Sequence, residues 1–273
     1  MLLSIRHRTF YRYDPPVSRA ALKLRLFPAA TASQAIRSWS VTVNGEAPEM
    51  RLVNGYGDEE AVWLADDGAE EVEILASGVI ETTDTHGVLR GWRMAARPAM
   101  FLRRTALTAP DEGVAAMARE ATGGKTGIAA AHALSAAVGE AVDYRPGTTT
   151  AETTAAEALR QGAGVCQDHA HVLISAARSL GAAARYVVGY LLVGEGDAPE
   201  IASDTETHAW AEIWIDGLGW VGFDASNGLC PTDRYVRLAA GLDAVDAAPI
   251  RGSVTGATEE SLEAEVQVTQ AQQ

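Results

Sequence analysis

The chain has 273 residues, of which 47% are hydrophobic and 21% are charged, and its formal net charge is -14. This composition is typical of a soluble globular protein and excludes a chain that is disordered throughout. No apolar run reaches the roughly 18 residues that a membrane-spanning helix needs. The start of the chain turns basic at Arg6, before a signal-like apolar stretch can form. We therefore predict a cytoplasmic protein that does not enter a membrane.

The negative charge is concentrated in the second part of the chain. Residues 1–105 carry 13 Lys and Arg against 13 Asp and Glu, whereas residues 106–273 carry 9 against 23. An acidic surface repels the phosphates of nucleic acids and of anionic membranes, so we expect neither as a partner. The same surface suits a cationic or amine-bearing partner, but solubility alone is the preferred explanation.

The first 90 residues carry short strand signals that are separated by turn residues. Aromatic and β-branched residues are frequent in residues 8–13 and 38–43, and further strands are predicted over residues 60–64 and 71–80. Short strands at this spacing indicate an antiparallel β domain of the sandwich type. Together with the linker that follows, we assign residues 1–105 to it. We expect this domain to serve packing or to shape a substrate site.

Helical patterns begin after the linker and define a second domain over residues 106–250. Capping residues and apolar periodicity predict helices over residues 111–121, 126–142, 154–162 and 165–180. Strands are predicted over residues 185–193, 207–215 and 220–224, with a hairpin turn between the last two. The segment 251–273 contains no aromatic residue and is predicted to be a flexible tail.

One of the two cysteines lies where a nucleophile would be favoured. Cys166 follows Gly164 at the predicted start of a helix, whose positive end stabilises a thiolate. Backbone N–H groups at the same end can stabilise an oxyanion. On position alone, a buried structural cysteine is the preferred explanation of the pattern. Cys230 precedes a proline and looks structural, and two cysteines are too few for a disulfide framework.

A thiol nucleophile needs a base, and there are six histidines to consider. His169 lies on the apolar stripe of the same helix and is expected to be packed or capped. His171 points about 140° away from Cys166 around the helix and cannot reach the sulfur. His208 begins a strand, and Asp224 ends the strand that returns after the hairpin turn.

The hairpin turn decides whether His208 and Asp224 can meet. A three-residue loop at 216–218 places His208 opposite Ser226 and makes Asp224 its diagonal neighbour on the same face, within reach of a long side chain. A two- or four-residue loop places Asp224 on the other face. The pairing therefore needs an odd loop or a bulge.

Strand alternation determines which side chains share a face with His208. Trp210, Glu212 and Trp214 lie on that face. We expect the helix of Cys166 to pack against this face of the hairpin, with Trp210 nearest to the site.

Four blocks together resemble the core of bacterial transglutaminase-like proteins, which are part of the papain-like superfamily. They are residues 164–171 (GVCQDHAH), 184–190 (ARYVVGY), 207–212 (THAWAE) and 219–224 (GWVGFD). In that family the Cys, His and Asp of these blocks form a catalytic triad, which the resemblance places at Cys166, His208 and Asp224. The first 90 residues resemble the β domain that precedes this core in one bacterial branch. The resemblance implies an α+β fold, in which an N-terminal antiparallel β domain is followed by a core whose cysteine helix packs on an antiparallel sheet.

Two short segments depart from the family pattern. Residues 182–184 are Ala-Ala-Ala where a proline is usual, and residues 225–226 are Ala-Ser where Pro-Thr is usual. Neither segment contains a triad residue, so the departures concern local backbone only.

The implied activity is cysteine-dependent amide chemistry. His208 would share a proton with Cys166, Asp224 would orient the imidazole, and attack on an amide carbonyl would release an amine and leave a thioester. Water as the second nucleophile gives a peptidase or amidase, which we expect ahead of transglutaminase-type transfer to an amine, although the triad is the same for both. The expected partner is a peptide or protein amide substrate. A non-catalytic binding or scaffold protein on the same fold is the alternative from another class.

Four further residues are candidates for substrate contact. Gln167 and Asp168 either shape the cleft beside the sulfur or simply favour the helix dipole. Tyr144 lies upstream at the expected cleft rim, where it either packs the loop or assists an oxyanion. Trp210 either walls the site or packs in the core.

We expect neither a metal nor an organic cofactor. Cys166 and His169 are one helical turn apart and could chelate, but neither a CxxC nor an HExxH spacing completes a metal site. The sequence leaves the oligomeric state open.

Overall fold

The chain folds into an N-terminal unit of two packed antiparallel sheets and a C-terminal unit of helices on a third sheet. The computed structural model describes residues 1–65, 68–92, 94, 96–194 and 207–271. The elements, in chain order, are β1 (Leu2–Val17), β2 (Arg19–Phe27), β3 (Gln34–Val43), β4 (Met50–Val53), β5 (Glu59–Ala65), β6 (Ala69–Thr82), a 3-10 helix (Pro98–Leu102), α1 (Glu112–Thr122), α2 (Gly127–Ala141), β7 (Asp143–Tyr144), α3 (Ala155–Gln161), β8 (Ala163–Gly164), α4 (Cys166–Ser179), β9 (Ala184–Leu191), β10 (His208–Ile215), β11 (Gly219–Phe223), β12 (Tyr235–Gly241), α5 (Ala244–Ala247), β13 (Ile250–Thr255) and β14 (Glu259–Gln270).

The two sheets of the N-terminal unit share one apolar core. Their strand orders are β14-β1-β6-β3 and β13-β2-β5-β4, and every neighbouring pair is antiparallel. Alternate residues of each strand point inward, so that Ile5 and Ile74 of the first sheet join Leu24 and Ala61 of the second in one buried cluster. The predicted antiparallel β domain is confirmed.

The prediction of a flexible tail over residues 251–273 is wrong for the part that the structure describes. β13 pairs with β2, and β14 pairs with β1 along almost its whole length, from Leu3 opposite Gln270 to Asp14 opposite Glu259. Most side chains of β14 are exposed, and only Val266 is buried. The segment is therefore held by backbone pairing rather than by apolar burial, which is why its polar composition resembled that of a tail. Residues 272–273 lie outside the described part.

The C-terminal unit places helices on an antiparallel sheet of order β11-β10-β9-β12. The predicted caps are confirmed: the Asp111 side chain accepts from Val114 N at the start of α1, and Thr154 with Glu157 forms a capping box at the start of α3. Within the described ranges, no helix combines the length and the apolar character needed to cross a membrane.

The sheet of the C-terminal unit is covered on both faces, and α4 lies on the face opposite to the one we predicted. Ala209, Ala211 and Ile213 of β10 share one core with the helices, so the odd-numbered side chains point toward α4. Trp210 belongs to a separate buried cluster on the other face. α4 packs on the odd-numbered face of β10 because the side chains on that face are small or aliphatic, whereas those on the even-numbered face are bulky or charged. Tyr190 of β9 and Val236 and Leu238 of β12 join the core of the N-terminal unit.

A buried ionic network joins the two units. Glu212 accepts from Arg185 (Nε to Oε2, 2.6 Å) and from Arg237 (Nε to Oε1, 3.0 Å), and Arg237 continues to Asp58 of the N-terminal unit (Nη1 to Oδ1, 3.2 Å). Arg25 also pairs with Asp58. Burial acts to raise the pKa of Glu212, but Arg185 and Arg237 outweigh it, so the pKa is lowered and the carboxylate stays ionised.

We expect Asp58→Asn to lower the free energy of unfolding by about 3–5 kcal/mol, because it leaves buried guanidinium groups without a counter-charge. The matched control is Glu59→Gln, which removes a neighbouring carboxylate whose partner Arg51 is exposed. The control should cost less than about 1 kcal/mol. Urea unfolding monitored by circular dichroism gives both values, and equal losses would contradict the role of the network.

Candidate active site

The candidate nucleophile lies at the first residue of α4. β7 and β8 form a short parallel pair that leads the chain into this helix. Gly164, at the end of β8, has no room for a side chain, since a Cβ there would lie 2.6 Å from the Cβ of Asp168. The helix begins at Cys166, which is half-buried. The predicted position of the cysteine at a helix N-terminus is therefore confirmed.

Asp168 closes the N-terminus of α4. Its Oδ2 accepts from Val165 N at 2.8 Å and from the Thr149 hydroxyl at 2.7 Å, and the residue is 1% exposed. The carboxylate thus caps the helix and fastens the preceding loop to it. This burial argues against the direct substrate contact predicted for Asp168. Gln167 is half-buried, its side chain lies 3.5 Å from the Ala151 carbonyl, and its contact with substrate stays a prediction.

The hairpin has the odd loop that the pairing required. β10 and β11 pair from Ile215 opposite Gly219 to Ala211 opposite Phe223, which leaves the three residues 216–218 as the loop. The register argument is therefore confirmed, and Asp224 follows β11 on the same face as His208.

A hydrogen-bonded chain of three side chains results. The imidazole Nε2 of His208 lies 2.6 Å from Oδ2 of Asp224. The Cys166 side chain adjoins the same imidazole, since its hydrogen bond and its charge are among the causes that raise the pKa of His208. Because Nε2 faces the carboxylate, Nδ1 is the nitrogen left for the sulfur. Cys166 is the first residue of α4 and His208 the first residue of β10, so the contact joins the starts of the two elements.

The other two histidines of the motif lie apart from this chain. His171 accepts from Ala244 N through Nε2 at 3.0 Å, deep in the core. His169 is also buried, with its two ring nitrogens 2.9 Å from the Val165 carbonyl and 2.7 Å from the Val142 carbonyl. The packing role predicted for His169 is confirmed, and His171 lies away from the sulfur as predicted, although it is buried without belonging to the apolar stripe.

Asp224 is the most heavily hydrogen-bonded side chain of the site. Oδ1 accepts from the hydroxyl and the backbone N–H of Ser226 and from the backbone N–H of Asn227. Oδ2 accepts from the Asn227 amide at 2.7 Å and from the Tyr235 hydroxyl at 2.8 Å, besides His208. Sequence reasoning missed Asn227 and Tyr235 as parts of the site, because neither residue belongs to a block that carries a triad residue.

The surroundings of His208 and Asp224 favour the charged form of both side chains. Burial acts to lower the pKa of His208, but the hydrogen bonds and charges of Asp224 and Cys166 raise it to about 10. Burial acts to raise the pKa of Asp224, but His208 and the other donors lower it to about 2. At neutral pH an imidazolium and a carboxylate therefore face each other.

The remaining candidates lie around the imidazole and the helix end. Trp210 is 3% exposed and stacks on His208, with ring centroids 6.3 Å apart. It therefore packs beneath the imidazole, and this position argues against the predicted contact with substrate. Tyr144 is half-buried, its ring centroid lies 6.2 Å from that of His169, and its role at a cleft rim stays a prediction. Among the described residues, no three His, Cys, Asp or Glu side chains come together as metal ligands would.

Comparisons with known proteins agree with this architecture. Residues 115–225 match the model of the transglutaminase-like superfamily core, and residues 3–81 match that of the bacterial transglutaminase-like N-terminal region. The uncharacterized protein ML0607 of Mycobacterium leprae is 27% identical over 271 residues, which is 96% of each chain. The uncharacterized protein Rv2569c of Mycobacterium tuberculosis is 28% identical, over 94% of this chain and 89% of its own.

A solved structure shares the whole fold. A candidate cysteine protease from Cytophaga hutchinsonii superposes with a TM-score of 0.76 and 23% identity, over 100% of this chain and 91% of its own. The predicted α+β architecture, with a β unit before the helix–sheet core, is thereby confirmed.

We expect the His208–Asp224 pair to stabilise the fold most between pH 3.8 and pH 6.5. The folded-state pKa of His208 lies above its usual 6.5, so this contribution is full below pH 6.5 and is lost as the pH rises toward 10. The folded-state pKa of Asp224 lies below its usual 3.8, so its contribution is present above pH 3.8 and is lost as the pH falls toward 2.

Urea unfolding of the wild type and of His208→Gln tests this at steps from about pH 6 to about pH 10. The difference between their free energies of unfolding should shrink steadily across that range. A difference that stays constant would show that no stabilising proton is held at this position.

Proposed function

We propose that this chain, which belongs to the transglutaminase-like superfamily, is a cysteine-dependent enzyme that acts on amide bonds of a peptide or protein. Cys166 is the nucleophile, His208 the acid and base, and Asp224 the residue that orients the imidazole. The observation that carries the proposal is the hydrogen-bonded chain from the thiol through the imidazole to the carboxylate. A structural cysteine needs no such partners, whereas a thiol nucleophile does.

The reaction follows from where the protons lie. The Cys166 thiolate, paired with the His208 imidazolium, attacks the amide carbonyl carbon and forms a tetrahedral oxyanion. The first N–H groups of α4 have no intrahelical acceptor and can donate to this oxygen. The imidazolium then gives its proton to the departing amine, the C–N bond breaks, and a thioester remains on Cys166.

A second nucleophile completes the cycle. The neutral imidazole takes a proton from water as the water oxygen attacks the thioester carbonyl carbon. The C–S bond then breaks, the carboxylic acid leaves, and the Cys166 thiolate and the His208 imidazolium are restored. We assign the protein to this hydrolytic route, as a peptidase or amidase, and its place in the cytoplasm stays a prediction. Acyl transfer to an amine is the second candidate, and the excess of 23 acidic over 9 basic residues in residues 106–273 favours a cationic acceptor.

We expect Cys166 to react with iodoacetamide faster than Cys230 at about pH 7, because Cys166 lies at the N-terminus of α4 beside the His208 imidazolium, and positive charge at both places promotes attack by sulfur. Cys230 is the internal control, since burial and Asp84 raise its pKa. Mass spectrometry after brief labelling at several pH values measures both rates in the same sample. Equal labelling of the two cysteines at about pH 7 would favour a non-catalytic scaffold.

Asp224→Asn should reduce turnover by about 10⁴-fold in a folded variant, the loss observed when a serine protease loses its orienting carboxylate in the same way. Peptide libraries with and without an added primary amine, followed by mass spectrometry, provide the assay and separate hydrolysis from transfer. Cys166→Ala should be inactive, and Cys230→Ser should keep full activity. A folded Asp224→Asn variant with more than a tenth of the wild-type rate would exclude Asp224 from the triad.

A further inference from the structure

Tyr235 reaches the candidate triad from a strand that carries none of its members. It is the first residue of β12, where it pairs with Leu191 of β9, whereas His208 and Asp224 belong to the β10–β11 hairpin. It is 7% exposed, and its hydroxyl donates to Oδ2 of Asp224 at 2.8 Å. A buried phenol therefore touches the same oxygen that faces the imidazole.

Three donors converge on that oxygen. His208 Nε2 lies at 2.6 Å, the Asn227 amide at 2.7 Å and the Tyr235 hydroxyl at 2.8 Å. The Asn227 amide also lies 3.0 Å from the Tyr235 oxygen, so the two residues support each other. A carboxylate oxygen shared among three donors gives less of its charge to any one of them than an oxygen with a single donor.

The ring of Tyr235 restricts the imidazole as well. Its centroid lies 5.8 Å from that of His208 and 5.6 Å from that of Trp210, in both cases edge to face. Trp210 in turn stacks on His208. The imidazole is thus held between two aromatic rings and a carboxylate, which fixes its plane before substrate arrives.

The phenol keeps its proton under all ordinary conditions. Burial is the main cause that raises the pKa of Tyr235, and the nearby charge of Asp224 adds to it. Two further charged or titratable groups lie near His208, Asp224 and Tyr235. They are Cys166 from α4 and Arg234, and the Nε of Arg234 donates to the Leu192 carbonyl. The hydroxyl is therefore a permanent donor to Asp224 and not an acid or base of the reaction.

We propose that Tyr235 is a positioning residue of this site, which acts through Asp224 and, with Asn227, sets how firmly the carboxylate holds the imidazolium proton. This inference rests on the proposed function. It predicts that removal of the hydroxyl alone disturbs both the orientation and the proton affinity of His208, while the aromatic packing is retained.

The experiment compares Tyr235→Phe with Tyr190→Phe. Tyr190 is a matched control, because it is also a buried tyrosine whose hydroxyl meets a histidine, at 3.1 Å from Nδ1 of His7, but in the core of the N-terminal unit. Tyr235→Phe should lower kcat about 10-fold or more with KM unchanged. The alkaline limb of its pH profile should move to higher pH, since Asp224 with one donor fewer holds the imidazolium proton more strongly. Tyr190→Phe should leave kcat, KM and the pH profile as in the wild type.

The outcomes separate the inference from the proposed function. A wild-type kcat and pH profile in Tyr235→Phe, or equal effects in the two variants, would overturn the role of Tyr235. If the wild-type protein cleaves no amide, the proposed function fails, and iodoacetamide labelling of Cys166 against pH still measures the ion pair without a substrate. A shift of the high-pH inflection of that labelling in Tyr235→Phe, absent in Tyr190→Phe, supports the positioning role, and coincident curves refute it.

Discussion

The fold depends on buried charges that its two units share. Arg185, Glu212 and Arg237 all lie on the C-terminal sheet, and by themselves they leave one buried positive charge in excess. The N-terminal unit supplies Asp58, which pairs with Arg237. Arg25 of the same unit also pairs with Asp58 and donates to two backbone carbonyls. Removal of one partner from a buried ion pair costs several kcal/mol. Arg237 of the C-terminal sheet therefore has both of its carboxylate partners only when the N-terminal unit is docked on the sheet.

The same network fixes the strands that carry the site. Glu212 lies on β10 after His208, and Arg237 lies on β12 after Tyr235, so their ion pair ties the two strands together across β9. Gly189 on β9 leaves room for this arrangement, since a Cβ there would come within 2.6 Å of the Trp210 ring. The residues around the imidazole are therefore held by a scaffold that extends into the other half of the molecule.

Local rules predicted the parts of the site that are local. The helix start at Cys166 follows from glycine placement, which acts over a few residues. Strand alternation showed that His208 and Asp224 can meet only with an odd loop or a bulge, but the length of the loop came from the structure. The face on which α4 packs, the strand β14 and the contact of Tyr235 depend on segments far apart in the chain, and no periodicity encodes such meetings. A polar strand such as β14 in particular is stabilised by its partner's backbone, which composition does not reveal.

The pairing of β1 with β14 has a consequence for how the protein is made. About 250 residues separate the two strands, so at typical rates of synthesis β1 waits roughly 10 to 50 s for its neighbour to leave the ribosome. β6 covers one edge of β1 much earlier, since it ends at Thr82. During the remaining interval the other edge of β1 presents unpaired backbone groups, which are a template for pairing with other chains. Premature termination before residue 259 would make that exposure permanent, so truncated chains should aggregate even when every residue of the candidate active site has been synthesised.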